Sequence, residues 1–543
     1  MQPTRLPADE LVREYRARGH WSDDTVGSLL TRCAAARPDA LAVVDGDRRS
    51  TFGDIERDAS RLALSLQRLG VSRDSVVSFQ LPNCVEAVIV FHAVMKLGAV
   101  ANPIVPIYRE QEVSFILDQS GAAVVFVMDS RGNRDVESMY SSPIFAAVDV
   151  VVVGSARWND MITVTDVEVE VEGVGVDPDD VCLLLYTSGT TAEPKGVLHS
   201  HNTLVFENRS MVDWFGLGPD DVVFNPSPVT HVTGINCALT LPFLLGIPVV
   251  LQDRWDSDVA LARILAERAS FMIFSTPFLR GLVNAATRAN TSTPSVRYVV
   301  CGGADIPDSL ATAATDTLGT TVRMFGATEG PSATCSTTSD SLHTRTRSDG
   351  RPIAPTDVLV DGTDRSSSVG EILWRGPDTF LGYLDASLNE AAFTQDGFFR
   401  TGDLGRFDDD GYLHVVGRIK DIINRSGEKI SAYSVESLLS QHPHVSEVAI
   451  VAGPDPVTGE RGCAFVVPEA GTSIDLAEVQ AFLESHKIAR QRFPESVFVV
   501  DSLPKTPSGK IQKFALREWT RDRAEVPRHM AGITIAASYE VDR

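Results

Sequence analysis

The chain has 543 residues, with 49 Lys+Arg against 72 Asp+Glu and a formal net charge of −23 at pH 7. A single hydrophobic core stops growing well below this length, so two or more domains are expected. With 43% hydrophobic and 22% charged residues, disordered and fibrous classes are excluded, and the acidic balance argues against nucleic-acid or anionic-lipid partners. Helical spacing begins over Thr25–Ala36, followed by a strand at Leu41–Val44, a turn at Asp45-Gly46-Asp47 and a strand at Ser50–Phe52. Gly53–Leu69 reads as an amphipathic helix with Ile55, Leu62, Leu66 and Leu69 on one face and Gly70 as its cap. Strand-like Ser75–Gln80, helix-like Cys84–Leu97 and strand-like Val100–Ile104 continue an alternation that predicts an α/β fold layered from βα units.

The last third changes texture. Gly411–Val416, Val445–Val451, Phe465–Val467 and Val497–Val500 read as strands, and Ser434–Ser440 and Leu476–Leu483 as helices. This is a small α+β unit, and a boundary near Arg418-Ile419-Lys420-Asp421 gives domains at 1–418 and 419–543. The tail beyond Trp519 is weakly patterned. The first residues form no apolar leader, and the apolar run Leu239–Leu251 is interrupted by Pro242, Gly246 and Pro248 and is too short to span a bilayer, so a cytoplasmic protein is expected. Seven scattered cysteines without a CxxC predict neither a disulfide framework nor a zinc site. The pairs His199/His201 and His442/His444 lack cysteine or carboxylate neighbours at ligand spacing and read as structural or solvated histidines.

One stretch carries chemistry. The apolar run Leu183-Leu184-Leu185-Tyr186 feeds Thr187-Ser188-Gly189-Thr190-Thr191-Ala192-Glu193-Pro194-Lys195-Gly196. Small side chains admit backbone N–H groups to anionic oxygens, hydroxyls add donors, and Lys195 adds charge, which is what a phosphate cradle requires. The spacing is not that of a Walker-type loop.

This run resembles the phosphate-binding loop of the adenylate-forming superfamily, which includes acyl- and aryl-CoA synthetases, luciferases and peptide-synthetase adenylation domains. Further segments match in the family's order: Val300-Cys301-Gly302-Gly303-Ala304, Phe325-Gly326-Ala327-Thr328-Glu329, Gly370-Glu371-Ile372, Gly397 to Gly405, Gly417-Arg418-Ile419-Lys420-Asp421, and Pro504-Lys505-Thr506-Pro507-Ser508-Gly509-Lys510-Ile511. The resemblance implies a large layered N-terminal domain, a small mobile C-terminal domain, and conversion of a carboxylic acid by ATP into an acyl-adenylate with loss of pyrophosphate. Charge stabilisation at phosphorus dominates such chemistry.

By motif position the resemblance implies these roles. Lys510 contacts the carboxylate and phosphate. Asp403, supported by Arg418, takes the ribose hydroxyls. Glu329 and Thr190 hold Mg²⁺, and Thr187, Ser188, Gly189, Thr191, Lys195, Gly303, Ala304, Gly326 and Thr328 surround the nucleotide. Phe325 stacks on adenine where tyrosine is commoner. Lys420 is the hinge, and Ser426, Gly427 and Glu428 line a coenzyme A channel. Ala192 departs from the usual glycine, and a positive φ there would cost about 1 kcal/mol.

His231 matches an aromatic gate beside the carboxylate, with Ile235, Asn236, Ser275, Thr276, Ala304 and Ala327 as pocket neighbours; Asn236 is a candidate donor to a ring hydroxyl or ketone. The stretch Pro228 to Asn236 has no carboxylate to hold an α-ammonium, so a fatty, alicyclic or aromatic acid is expected rather than an amino acid. No Gly-x-Asp-Ser carrier site follows the small domain, so free coenzyme A is the first choice of acceptor. A separate carrier protein is the second, and a nucleotide-binding regulator without catalysis the third. The partner set also admits a homodimer and, by family analogy, a lysine acetyltransferase acting on Lys510.

Overall fold

The computed structural model describes residues 1–128, 136–164, 175–187, 194–303, 306–362, 368–505 and 510–521. Two compact units emerge, one of residues up to 358 together with Trp374–Phe399, the other of Leu359–Leu373 and the chain from Arg400.

Among the described residues, the first unit contains two sheets. In the six-stranded sheet the order is Asp149–Val152, Val124–Val127, Val76–Gln80, Val100–Pro103, Val181–Thr187, Lys195–Ser200. Its pairs are parallel except the last, which is antiparallel. Every residue of Val76–Gln80 is buried, as expected for a parallel strand covered on both faces. In the nine-stranded sheet the run Thr320–Ala327, Tyr298–Gly302, Phe271–Phe274, Val223–Asn225, Val249–Leu251, Leu41–Asp45 is parallel throughout. Antiparallel strands flank this run on both sides. Helices Val26–Ala36, Phe52–Arg68 and Val85–Lys96 pack together on apolar faces that include Leu29, Phe52, Leu62, Val88 and Phe91. Each such buried side chain contributes about 1.5–3 kcal/mol.

Local caps set the element boundaries and correct two expectations. Phe52 begins a helix instead of ending a strand, because Thr51 caps it: the Thr51 side chain accepts from Asp54 N–H, and the Asp54 carboxylate accepts from Thr51 N–H. The preceding strand is therefore Arg48–Thr51. Leu69, read as part of the packed face, is the C-cap residue of that helix and 46% exposed.

The second unit holds the expected α+β elements. Strands Glu428–Ser431, Ile422–Arg425, Gly459–Pro468 and Val445–Asp455 form a sheet in that order, and Ser496–Val499 joins parallel to Gly459–Pro468. Helices Ala432–Leu439 and Leu476–Ser485 enclose one small core with Ile423, Val435, Ile450 and Val479. Helix Lys513–Arg521 seals the other face through Leu516 against Val451 and Phe465. No described helix is long and apolar enough to cross a membrane, and all seven cysteines are free thiols.

Candidate functional site

In the first unit, the strand pair Val181–Thr187 and Lys195–Ser200 sets Thr187 directly opposite Lys195. Ser188, Gly189, Thr190, Thr191 and Ala192, between them, lie outside the described residues, as does Ala304. The Lys195 ammonium stands 4.8 Å from the centroid of the Tyr383 ring, a cation–π distance. The Tyr383 hydroxyl donates to Glu329 Oε1 at 2.8 Å. Burial, and next the Glu329 charge, push the Tyr383 phenol far above its ordinary value, so it stays a donor. Sequence reasoning missed Tyr383; its one signal is an aromatic residue after Leu381-Gly382.

The remaining residues singled out in this unit fall at one end of the nine-stranded sheet. His231 follows Val223–Asn225, Ser275 follows Phe271–Phe274, Gly303 follows Tyr298–Gly302, and Phe325 to Glu329 close Thr320–Ala327. These strands are neighbours and parallel, so the residues share the carboxyl edge, where open α/β sheets bind ligands. Gly326 is required by geometry, since a Cβ there would lie 2.0 Å from Pro331 O at the bulge between Phe325 and Ala327. Gly303 adopts φ +76, a left-handed conformation that glycine reaches without strain. The Phe325 ring meets Trp374 edge-on at 5.8 Å. His199 Nε2–H donates to Thr328 O at 2.7 Å, and burial holds this imidazole down at about 4, hence neutral. His201 is buried as well, and its Nδ1 accepts from Val26 N–H. The first HxH pair is thus structural.

Around the expected acid pocket, His231 caps the short helix Val232–Gly234, its Nδ1 accepting from Thr233 N–H at 3.3 Å. Ile235 and Asn236 open a wide-turned π-helical segment, Ile235–Thr240, with Ile235 fully buried. The Asn236 Oδ1 is engaged by Asn208 Nδ2 at 3.2 Å. Ser275 stands at the N-cap position of helix Thr276–Arg288. Ala327 is half-buried. A further group was not visible in the sequence: Glu207, 2% exposed on helix His201–Phe215, accepts from Ser332 Oγ at 2.5 Å.

In the second unit, Asp403 and Arg418 are register partners across strands Phe399–Phe407 and Leu413–Arg418. Arg418 Nε lies 2.6 Å from Asp403 Oδ1, and Asp403 is 5% exposed. The Gly370–Ile372 motif braces this turn: Glu371 accepts from Gly402 N–H and pairs with Arg400, and Thr401 Oγ1 donates to Ile372 O. Lys420 is exposed on the turn Ile419–Asp421. Burial raises the Asp421 pKa, but the nearby Lys513 and Arg517 outweigh it and hold that carboxyl below its ordinary range.

Ser426 and Gly427, with φ of +51 and +87, form the two-residue turn of a hairpin in which Arg425 pairs with Glu428. Glu428 is exposed. A bridge joins Lys505 and Ile511; Lys510 is exposed, and residues 506–509 lie outside the described residues. One expectation is corrected here. The second HxH pair does have a carboxylate neighbour, because Glu478 Oε1 reaches His444 Nδ1 at 2.7 Å and His442 Nε2 at 3.6 Å.

Comparison with known proteins shows the family and the fold. The profile described as AMP-binding enzyme matches residues 30–384, and that described as AMP-binding enzyme C-terminal domain matches 434–510. The chain belongs to the AMP-binding enzyme family. Over 519 residues it is 32% identical to a medium-chain fatty-acid–CoA ligase of Escherichia coli K12, covering 93% of this chain and 92% of the relative. Over 526 residues it is 32% identical to a 2,3-dihydroxybenzoate-AMP ligase of Bacillus subtilis 168, covering 94% and 96%. The crystal structure of the anthranilate CoA ligase AuaEII in complex with anthranoyl-AMP superposes with a TM-score of 0.84 at 25% identity, covering 92% of this chain and 98% of the other. The fold is that of adenylate-forming enzymes, with a large α/β domain and a small C-terminal domain, and the activity is adenylate-forming activation of an acyl or aryl acid.

Proposed function

We propose that the protein is an ATP-dependent acid–CoA ligase acting on a fatty, alicyclic or aromatic acid. The observation that carries this reading is the gathering of His231, Ser275, Gly303, Phe325, Thr328 and Glu329 along one carboxyl edge of the sheet. The similarity to a fatty-acid–CoA ligase over nearly the whole of both chains supports coenzyme A as acceptor.

The substrate carboxylate attacks the α-phosphorus of ATP, the bond to pyrophosphate breaks, and acyl-AMP forms; the coenzyme A thiolate then displaces AMP. In this scheme Thr187, Ser188, Gly189, Thr190, Thr191 and Lys195 cradle phosphates, Phe325 and Gly303 flank adenine, and Asp403, steadied by Arg418, takes the ribose. Glu329 suits a divalent ion: its Oε1 is oriented by Tyr383, and carboxylate and hydroxyl oxygens are the hard donors Mg²⁺ prefers. Glu329 and Thr190 would hold it, and the ion would neutralise phosphate charge. Lys510 stabilises the developing negative charge in adenylation. The segment 419–543 turns about Lys420 for the second step, when Ser426, Gly427 and Glu428 line the pantetheine path.

A second reading is favoured by the similarity to an aryl-acid AMP ligase: loading of a separate carrier protein. Incubating the protein with MgATP and a panel of acids while following pyrophosphate tests the adenylation step. Adding coenzyme A separates the readings. Thioester appearing with the best acid supports the ligase, whereas pyrophosphate release without thioester refutes it in favour of a carrier protein.

A further inference from the structure

Asn83 lies in the bend between strand Val76–Gln80 of the six-stranded sheet and helix Val85–Lys96, and it is 4% exposed. Its side chain serves the other sheet. The Nδ2 group donates to Ser227 O at 2.9 Å and to Gln252 O at 3.0 Å, while Oδ1 accepts from Val229 N–H at 2.8 Å. Both donor hydrogens and the oxygen of the amide are thus engaged. Gln252 follows strand Val249–Leu251, and Ser227 and Val229 follow strand Val223–Asn225. One buried amide therefore ties together two neighbouring strand exits at the carboxyl edge.

The segment that Asn83 holds is poorly able to hold itself. Pro226 and Pro228 have no N–H with which to continue the ladder of Val223–Asn225. Side-chain amides take its place: besides Asn83, Asn225 Nδ2 donates to Ser227 O at 2.8 Å. Close contacts then carry this position forward into the expected acid pocket. His231 N–H donates to Pro228 O at 2.9 Å, Ile235 N–H donates to His231 O at 2.9 Å, and a Cβ at Gly234 would lie 2.0 Å from Pro228 O. A shift of residues 227–229 is consequently passed to His231 and Ile235. The nucleotide motif is anchored elsewhere, through His199 at Thr328 O and Tyr383 at Glu329.

We propose that Asn83 is a positioning residue for the acid: by clamping residues 227–229 it fixes His231 and the Ile235-Asn236 turn, and so sets which acids the pocket accepts. It acts through that segment, not by contact with the acid. This rests on the reading of residues 231–236 as the acid pocket.

The test compares wild-type protein with Asn83→Ala, using the best acid of the panel and homologues one or two carbons longer. The variant should raise KM for the best acid by about tenfold or more and narrow its preference over the longer homologues, with KM for ATP within about twofold. A merely structural role would move both KM values together. An equal rise in both, or an unchanged KM for the acid, overturns the proposal. If Asn83→Ala does not fold, Asn83→Ser, which keeps one hydroxyl beside the segment, is judged by the same outcomes. If no acid supports pyrophosphate release by the wild-type protein, the adenylation reading fails by itself, and amide hydrogen exchange of the variant decides the clamp. Faster exchange confined to peptides from residues 226–236 supports it; exchange raised across the first unit, or nowhere, refutes it.

Discussion

The Tyr383 hydroxyl donates a 2.8 Å hydrogen bond to Glu329 Oε1 across 54 residues of sequence. The face of the same ring carries the Lys195 ammonium. One buried aromatic side chain thus spaces a cation of the loop base from the carboxylate at the strand edge, and fixes the direction of both. Burial keeps the phenol protonated, so Tyr383 remains a donor across the neutral range.

Replacing Tyr383 by Phe keeps the ring under Lys195 and deletes only the donor to Glu329. A hydrogen bond to a charged acceptor contributes about 1.5–3 kcal/mol, so pyrophosphate release should slow by roughly 10- to 100-fold, as each 1.4 kcal/mol is about tenfold. If Glu329 holds the ion, the variant should need more Mg²⁺ for half-maximal rate. A Mg²⁺ titration of both proteins at saturating ATP checks this, and an unchanged titration curve counts against that role for Glu329.

Arg418 orients Asp403 through a 2.6 Å contact while remaining 36% open to solvent. Removing the guanidinium leaves a nearly buried carboxylate unpaired, but solvent at Arg418 reduces the cost to about 1–2 kcal/mol. Arg418→Ala should therefore raise KM for ATP by roughly tenfold with a smaller change in KM for the acid. A double-mutant cycle with Asp403→Asn should return a coupling of about 1 kcal/mol. Additive effects on ATP binding would mean the two side chains act independently.

What the sequence revealed follows from distance along the chain. Strand Val181–Thr187 and the glycine-bearing loop edges were legible because apolar runs and small residues act locally. Phe52 was misread because a capping box overrides the β tendency of an aromatic residue, and Leu69 because a helix face ends where its C-cap turns outward. Tyr383–Glu329 and His444–Glu478 were invisible because only tertiary packing brings their elements together. Glu207 was hidden for another reason: an acidic residue within a helix ordinarily marks the solvated face, and no periodicity reveals that both sides of His201–Phe215 are covered.

Three buried imidazoles should make stability fall in mild acid. The ordinary value is 6.5, whereas burial lowers His92 and His201 to about 3 and His199 to about 4; for His92 the Lys96 charge adds to the effect. Below about 6.5 the unfolded chain binds protons that the folded chain refuses, so stability decreases as pH drops toward the folded-state values. At about pH 5 each site should cost roughly 2 kcal/mol, at 1.36 kcal/mol per unit. Urea unfolding at several pH values measures the slope. His92→Leu, which fills the same site between Phe91 and Phe243, should flatten it by one proton.

The turn at Ser426-Gly427 tests the second half-reaction. A β-branched side chain at φ +87 is strained, at a cost of about 1–2 kcal/mol. Gly427→Val should lower the melting temperature of the C-terminal unit modestly. If this turn lines the pantetheine path, thioester formation from supplied acyl-AMP and coenzyme A should slow by at least about tenfold while pyrophosphate release changes little. Equal loss in both steps would mark Gly427 as structural only.

Lys510 provides the complementary separation. Lys510 is an exposed residue next to Ile511, which bridges to Lys505, so truncation removes charge without opening a core. Electrostatic stabilisation of the transferring phosphoryl group commonly accounts for about 3–4 kcal/mol per donor. Lys510→Ala should accordingly reduce pyrophosphate release by roughly 100-fold or more, with thioester formation from supplied acyl-AMP within about threefold of wild type. Acetylation of Lys510 removes the same charge and should reproduce the pattern. Comparable losses in both half-reactions would show that Lys510 stays in one place through the cycle, and would remove the reason for a hinge at Lys420.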